Sequence, residues 1–165
     1  MGLSYPQLKL PDSAEKIAFR AVDQMLRSDP LLSTTVKAWR SWRGEDVDIL
    51  DPTFATCPYI RLSPVPESSS RQTEQQHRMP LDVRIQAAVA GSDFNQLSNF
   101  WAAIRTALYP TNAARRTTIL NMANTALIAR SQMTMNGYGV KVDDTGLRMM
   151  IAQGTLQLIL LVQTD

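Results

Sequence analysis

The two most reactive side chains of this 165-residue chain are its one histidine and its one cysteine, His77 and Cys57. An imidazole titrates near neutral pH and suits acid–base catalysis, and a thiolate is a strong nucleophile. His77 lies between Gln76 and Arg78 with nothing nearby in the sequence to bury or orient it, and no basic surroundings are evident around Cys57. We therefore predict a solvated histidine and an inert thiol rather than a catalytic pair.

A segment with four acidic residues has the composition of an oxygen-ligand cation site: Glu45, Asp46, Asp48 and Asp51. It lacks the central glycine and the terminal bidentate glutamate of a calcium-binding loop, so a solvated acidic loop is favoured. A single cysteine excludes an internal disulfide, and a single histidine excludes a histidine-rich metal site. The common phosphate-binding and hydrolase motifs are also absent. We predict no enzymatic activity, no cofactor and no metal ion.

Two groups of residues have the composition of interaction sites instead. Trp39 and Trp42 stand beside arginines, a combination typical of interface hot spots and of grooves for single-stranded nucleic acid. An equally good interpretation places the tryptophans in the core and the arginines in solvent. Arg115 and Arg116 could contact phosphate or an acidic partner, although an exposed helix start explains them more simply.

Composition and charge place the chain among ordinary globular proteins. Lysine and arginine number 17 against 15 acidic residues, a formal net charge of +2, and 44% of the residues are hydrophobic. This charge is too small to argue for binding to nucleic acid or to a membrane. The most apolar stretch, residues 156–162, is too short to span a bilayer, and the N-terminal residues lack the apolar core of a signal peptide. We expect a soluble, unanchored chain with one domain, residues 1–165.

The first half of the chain predicts one helix and two strands. Residues 13–28 alternate apolar and polar positions at helical spacing, with Asp12 or Ser13 as the N-cap, and Pro30 follows. Strands are predicted at 35–42, where the alternation is imperfect, and at 59–65. The polar segment 66–80 then predicts a long mobile loop that contains Arg71 and Arg78.

The clearest unit is a strand, a turn and a helix within thirty residues. Apolar and other residues alternate from Leu81 to Ala90, which is typical of a strand with one buried face. Gly91 opens a turn, after which Ser92 or Asp93 is expected to cap a helix that Pro110 ends.

The last third is predicted to be rich in strands. We expect a short helix at 112–124 and strands at 127–135, 138–142 and about 148–162, with Gly154 marking a bulge or bend. The final strand is apolar on both faces. It is either covered by helices and a neighbouring subunit, or a central strand under helices alone. The predicted fold class is α+β, with a mixed or antiparallel sheet flanked by two main helices.

Two segments of the sequence resemble the tail terminator proteins of tailed bacteriophages. One runs from Pro80 through the Gly91-Ser92-Asp93 turn to Ile104-Arg105-Thr106-Ala107-Leu108-Tyr109-Pro110. The other is Met150-Ile151-Ala152-Gln153-Gly154-Thr155 with the apolar run that follows. The order of the first helix and the early strands also agrees with that family, whereas segment 66–80 and the Trp39–Trp42 strand have no counterpart in it.

The resemblance implies an α+β fold and a structural role in the virion. Subunits would form a homo-oligomeric ring, a hexamer, that caps the tail tube, ends its polymerisation and joins it to the neck of the head. Partners would be the tail tube protein, head-proximal neck proteins and viral DNA passing through the lumen without sequence specificity. A head–tail joining or tail-completion protein is the alternative, and a free nucleic-acid-binding module is a third possibility.

Overall fold

The computed structural model describes residues 13–41, 52–65, 78–109 and 127–161. Along the chain these form three α-helices and five strands, with one turn of 3-10 helix at Phe54–Thr56. The helices are α1 (Ala14–Ser28), α2 (Pro30–Thr35) and α3 (Phe94–Leu108). The strands are β1 (Ala38–Ser41), β2 (Tyr59–Val65), β3 (Arg78–Ala90), β4 (Leu127–Val142) and β5 (Arg148–Leu161).

The strands form one mixed sheet in the order β1-β2-β3-β5-β4. Strand β1 runs parallel to β2, and every other neighbouring pair is antiparallel. The main helices α1 and α3 pack on one face of this sheet through a shared apolar core. The α+β fold class predicted from the sequence, with two main helices against a mixed sheet, is confirmed.

Helix α1 begins and ends close to its predicted limits. The Ser13 hydroxyl accepts a hydrogen bond from the Lys16 backbone N–H at 3.2 Å, which satisfies one of the free donors at the helix start. The helix ends at Ser28, and the Asp29 carboxylate then caps a second helix by accepting from the N–H groups of Leu31 and Leu32. Pro30 occupies the first turn of α2, where its missing N–H costs nothing.

The predicted strand at 35–42 was therefore too long. Thr35 closes α2, and the strand begins only at Ala38, because the Asp29-Pro30 pair starts a helix as well as ending one. Trp42 lies outside the described residues. The predicted strand at 59–65 is confirmed, with Ile60 and Leu62 in the core on the helix side.

Strand β3 is longer than predicted and shortens the polar loop. It begins at Arg78, which pairs with Leu161, so residues 78–80 of the predicted loop belong to the sheet. The apolar end of β5 provides this pairing, which local sequence patterns do not reveal. The rest of the predicted loop, residues 66–77, lies outside the described residues, as does the predicted helix at 112–124.

The two strands predicted at 127–135 and 138–142 are one strand, β4. Its register against β5 shifts between Ile128 and Arg130 and again between Met135 and Gly137. A bulge near position 136, rather than a turn, therefore accommodates the glycine-containing segment. The irregularity expected at Gly154 lies opposite it in β4, while Gly154 itself pairs in unbroken register with Ile85 of β3.

Strand β5 is second from the edge and is buried on one face only. Its helix-side residues Leu156, Leu158 and Leu160 are fully buried. On the opposite face Ile151 and Ile159 are half-buried, and Gln153 is exposed. The described residues of one subunit thus cover one face of this strand and leave the other open. None of the helices in the described ranges is both long and apolar enough to cross a membrane.

Candidate interaction surfaces

Trp39 belongs to a cluster that fastens the end of α1 to strand β1. Its ring is half-buried against the core, and the Arg27 guanidinium carbon lies 5.3 Å from the ring centroid. Arg27 Nε donates to Asp23 Oδ1 at 2.8 Å, and its second terminal nitrogen, Nη2, donates to Ser41 Oγ at 2.8 Å. Asp23 is the one buried charged residue in the described part of the chain. This arrangement favours the interpretation of Trp39 as a structural residue.

The other proposed contact residues are mostly outside the described ranges. Trp42, Arg71, Arg115 and Arg116 fall outside them, as do His77 and the acidic group at 45–51. The backbone of Arg78 lies in β3, so this residue is not part of a loop. Trp39 is thus not brought together with any of these residues in the described structure.

Asp93 occupies the N-cap position of α3. Its carboxylate accepts a hydrogen bond from the Asn95 N–H at 2.9 Å, and its backbone is extended, as a cap requires. Ser92 lies in the preceding turn, and no side-chain bond from it to the helix is seen. Gly91 has a φ of 90°, a conformation that favours glycine, and its N–H bonds to the Arg148 carbonyl. The cap therefore fixes where α3 leaves the β3–β5 pair.

The sheet face opposite the helices is polar and is not covered by a described helix. Cross-strand register aligns Arg61, Gln86 and Gln153 in one row and Ser63, Arg84 and Thr155 in the next. Asp82 and Gln157 continue the face toward the start of β3. Amides and hydroxyls dominate it, with two arginines and one aspartate among these residues. We name this the open sheet face.

A second, smaller apolar cluster lies on the same side of the sheet, near the end of β3. It comprises Cys57, Tyr59, Ala88 and Met149. Burial raises the pKa of the Cys57 thiol to about 11; the negative charge of Asp143 adds to this effect, and Lys37 opposes it. A raised pKa keeps the thiol protonated at neutral pH, which favours the inert thiol predicted from the sequence over a nucleophile.

Asp143, in the connection between β4 and β5, is hydrogen-bonded to the 3-10 turn at Phe54–Thr56. Its carboxylate accepts from the Thr145 hydroxyl at 2.6 Å and from the N–H groups of Thr145, Leu147 and Phe54. These bonds, led by that from the Thr145 side chain, lower the pKa of Asp143 to about 2. The bond to Phe54 spans 89 positions in the chain. An Asp-Asp-Thr-Gly turn is visible in the sequence, but its distant partner is not.

An exposed apolar group lies on the helix side of β4. Met135, Tyr138, Val140 and Val142 sit on that side, because they pair with Gly154, Ala152, Met150 and Arg148 of β5. The Phe94 ring, at the start of α3, lies 4.8 Å from the Tyr138 ring between centroids. We name these five residues the β4 apolar surface. The alternation in 138–142 predicted a strand, but not that this face would stay uncovered.

Within the described residues, no group of three or more histidine, cysteine, aspartate or glutamate side chains could hold a metal ion. The described geometry has two candidate surfaces for macromolecular contact, the open sheet face and the β4 apolar surface.

No protein-family model matches the sequence, and a search of curated proteins found no match. Solved structures similar to this chain include one described as "Virion of native gene transfer agent (GTA) particle". The two chains are 17% identical, and the alignment covers 85% of this chain and 92% of that chain, with a TM-score of 0.44. A likeness of this size establishes neither a shared fold nor a shared role, so the function has to be argued from the residues of this chain.

Proposed function

We propose that this chain is a structural component of a phage-like virion, and more specifically a tail terminator. In this role it forms a hexameric ring at the head-proximal end of the tail tube, stops tube polymerisation and joins the tail to the neck. The chain acts without catalysis or cofactor, and its partners are its own copies, the tail tube protein and neck proteins. It is located in the virion at the tail–neck junction, after assembly in the host cytoplasm.

The observation that carries the proposal is the packing of the two segments that resemble the family. They are distant in sequence, yet β3 and β5 pair along their lengths, with Ile85 opposite Gly154. Helix α3, from the first segment, places Trp101 directly over Gly154 of the second. The resemblance therefore lies in one contiguous unit at the centre of the fold, as expected for a shared architecture.

The open sheet face suits the wall of a channel for DNA in transit. Its residues on β2, β3 and β5 include amides and hydroxyls, with Arg61 and Arg84 as cations and Asp82 as an anion, and β4 adds a third cation, Lys141, opposite Met149. A strongly basic wall would hold the phosphates, because each lysine or arginine that neutralises a phosphate releases counterions and strengthens binding. A weakly charged polar wall supports passage instead. We assign this face to the lumen as part of the proposal.

The alternative is a head–tail joining or tail-completion protein of the neck, for which the same packing and the same polar face would serve. The nucleic-acid-binding module receives less support, because Trp39 is half-buried and Arg27 is bonded to Asp23 and Ser41. Absence of DNA binding at low salt would dismiss that third possibility.

We also propose that Arg71, Arg115 and Arg116 contact partner proteins. Arg71, in the polar segment, is expected to become protected from trypsin when the ring meets the tail tube. Arg78 is a poor site for the same experiment, because its backbone is paired within β3. Arg115→Glu with Arg116→Glu is expected to abolish joining while leaving the subunit folded. Unchanged cleavage at Arg71, or normal joining by the double variant, would remove the respective contact.

A stop codon at Trp39 in the parent phage or phage-like element tests the function directly. Particles from a non-suppressing host are examined by negative-stain electron microscopy. Overlong tail tubes would support a tail terminator, whereas tails of normal length beside filled heads would favour the neck protein. Normal virions would overturn both structural assignments.

A further inference from the structure

The two main helices leave residues 135–142 of β4 largely uncovered on the helix side. Five strands about 4.8 Å apart make a sheet roughly 24 Å wide, and two helices each about 10 Å in diameter cover about 20 Å of it. Helix α3 packs over β3 and β5, so the strand beyond them, β4, extends past the helical layer. Its helix-side residues from Met135 onward remain exposed for this reason, whereas Met133 packs against the core.

The exposed apolar area on this strand is large enough to form most of an interface. The exposed fractions of the β4 apolar surface are 46% for Phe94, 39% for Met135, 60% for Tyr138, 56% for Val140 and 55% for Val142. Side chains of this size leave on the order of 500 Å² uncovered, near the upper range for the largest patch of a typical monomer. Each partner in a stable complex contributes about 800 Å². Pairing along the free edge of β4 would provide the remainder.

The opposite side of the same strand segment carries two glycines and Lys141. Gly137 and Gly139 face the open side, opposite Gln153 and Ile151. Neither glycine has a positive φ, and a Cβ added at either position would meet no atom within 4 Å. Glycine inside a strand weakens it and often marks a place where another backbone approaches closely. The described fold needs neither glycine, so their small size suits a partner that straddles this edge.

We propose that residues 137–142 of β4, together with the β4 apolar surface, form the docking edge for a second copy of this chain. The second copy pairs with the free edge of β4 and covers Tyr138, Val140 and Val142 on the helix side. The proposal rests on the proposed function in requiring a ring. A ring needs a head-to-tail contact, in which two different surfaces of neighbouring copies meet.

The other edge of the described sheet carries one exposed apolar side chain beside it. Strand β1 is the opposite edge, and the short helix that leads into it carries Leu31, which is 60% exposed. Among the α-helices of the described residues, Leu31 and Phe94 are the large apolar side chains that are exposed. Contact between β4 of one copy and the α2–β1 side of the next uses both free edges and can repeat around a ring.

The experiment measures self-association of the purified full-length chain by sedimentation, up to about 1 mM. Wild type is expected to form oligomers. Gly139→Val is expected to raise their dissociation constant at least tenfold, because the new side chain occupies the space at position 139 on the open side of the edge. The same substitution is expected to leave the free subunit as stable as wild type or more stable, since valine favours strands. Gln132→Val, on the same strand but outside the docking edge, is the matched control and should associate normally. Val140→Lys provides a second variant, on the apolar side.

Mixing of variants tests the head-to-tail arrangement. Val140→Lys and Leu31→Arg should each fail to associate alone, while their equimolar mixture should form dimers and nothing larger, through the one intact contact. If Leu31→Arg forms normal oligomers, the contact involves β4 alone and the head-to-tail arrangement is wrong. A wild-type chain that stays monomeric at 1 mM, or oligomers that Gly139→Val leaves unchanged, would overturn the docking edge.

Failure of this inference and failure of the proposed function give different results. Overlong tails in the stop-codon mutant with a monomeric purified chain would remove the docking edge and keep the tail terminator. Normal virions from the stop-codon mutant, together with oligomers that Gly139→Val weakens, would remove the tail terminator and keep the docking edge. If Val140→Cys in the monomer resists a soluble thiol reagent, a segment of the same chain covers the surface, and the second copy is excluded as its occupant.

Discussion

Trp101 lies directly on Gly154, and the ring occupies the space that any larger residue at position 154 would need. A Cβ at Gly154 would stand 2.5 Å from two ring carbons of Trp101 and 2.5 Å from the carbonyl oxygen of Thr134. The glycine therefore serves packing between helix and sheet rather than a turn. Trp101 is almost fully buried, so this contact sets how closely α3 approaches β5.

Gly154→Ala is expected to lower the free energy of unfolding by about 3 kcal/mol, because neither the ring nor the Thr134 backbone can yield without disturbing the core. Urea denaturation followed by circular dichroism would measure it. Gly139→Ala is the control, since a Cβ there meets no atom, and it should be neutral or stabilising. The double variant Gly154→Ala with Trp101→Leu should cost less than the sum of the two single changes; strict additivity would contradict the contact.

Asp93→Ala is expected to destabilise the protein by about 1 kcal/mol, because the Asn95 N–H loses its acceptor at the start of α3. The neighbouring substitution Ser92→Ala should change the free energy of unfolding by less than about 0.5 kcal/mol. Thermal and urea denaturation of the two variants would compare the positions. A neutral Asp93→Ala and a costly Ser92→Ala would identify Ser92 as the cap.

Arg27→Gln is expected to cost about 2 kcal/mol, since it removes the cation beside the buried Asp23 carboxylate and the charge over the Trp39 ring. Asp23→Asn in the Arg27→Gln background should recover part of the loss, because the buried side chain at position 23 is then neutral. Chemical denaturation of the two single variants and the double variant gives the coupling. Equal stability of Arg27→Gln and wild type would mean that the cluster contributes nothing.

The stability contributed by Asp143 is expected to vanish in acid. The pKa of its carboxyl is lowered from 3.8 to about 2 in the folded state, so the unfolded chain binds the proton first as pH falls. The contribution is fully present above pH 3.8 and is lost as pH falls toward 2. Melting temperatures of wild type and Asp143→Ala should therefore converge across this interval. A constant difference between pH 5 and pH 2 would argue against the ionised cap.

The Cys57 thiol is expected to react slowly with iodoacetamide at pH 8 in the folded protein and rapidly in denaturant, because burial raises its pKa to about 11. Stability should fall with rising pH between about 9 and 11, since the unfolded chain releases the thiol proton first. Mass spectrometry of the alkylated protein measures the reactivity. Equal rates in the folded and denatured protein would show that the thiol is not buried.

The sequence predicts those elements whose patterns are local. Alternation from Leu81 to Ala90 and the spacing of Leu97, Trp101 and Ile104 were sufficient for β3 and α3, since each buries one face on the common core. The fold class followed from the order of these elements. Local patterns failed where the same residue type is compatible with two structures. Pro30 follows the end of α1 but also begins α2, and the glycines in β4 accompany a bulge rather than a turn.

The candidate surfaces were less accessible to prediction than the fold. The bond between Asp143 and the Phe54 N–H joins positions 89 residues apart, and no local pattern encodes such a partner. Exposure of Tyr138 and Val140 likewise depends on how far the helical layer extends over the sheet. The sequence shows that these residues alternate, but the width of the helical layer decides which face stays uncovered.

The pairing of β3 with β5 has a consequence for how the subunit is made. Arg78 is opposite Leu161, so the central pair of the sheet cannot close until almost all of the described chain has been synthesised. Among the described strands, β4 pairs with β5 alone and therefore waits for the same event. Contacts so distant in sequence fold slowly, because a long loop must close before any pairing energy is gained. A nascent chain on the ribosome thus has no finished β4 edge, so the docking we propose for this edge would begin only after the subunit is complete.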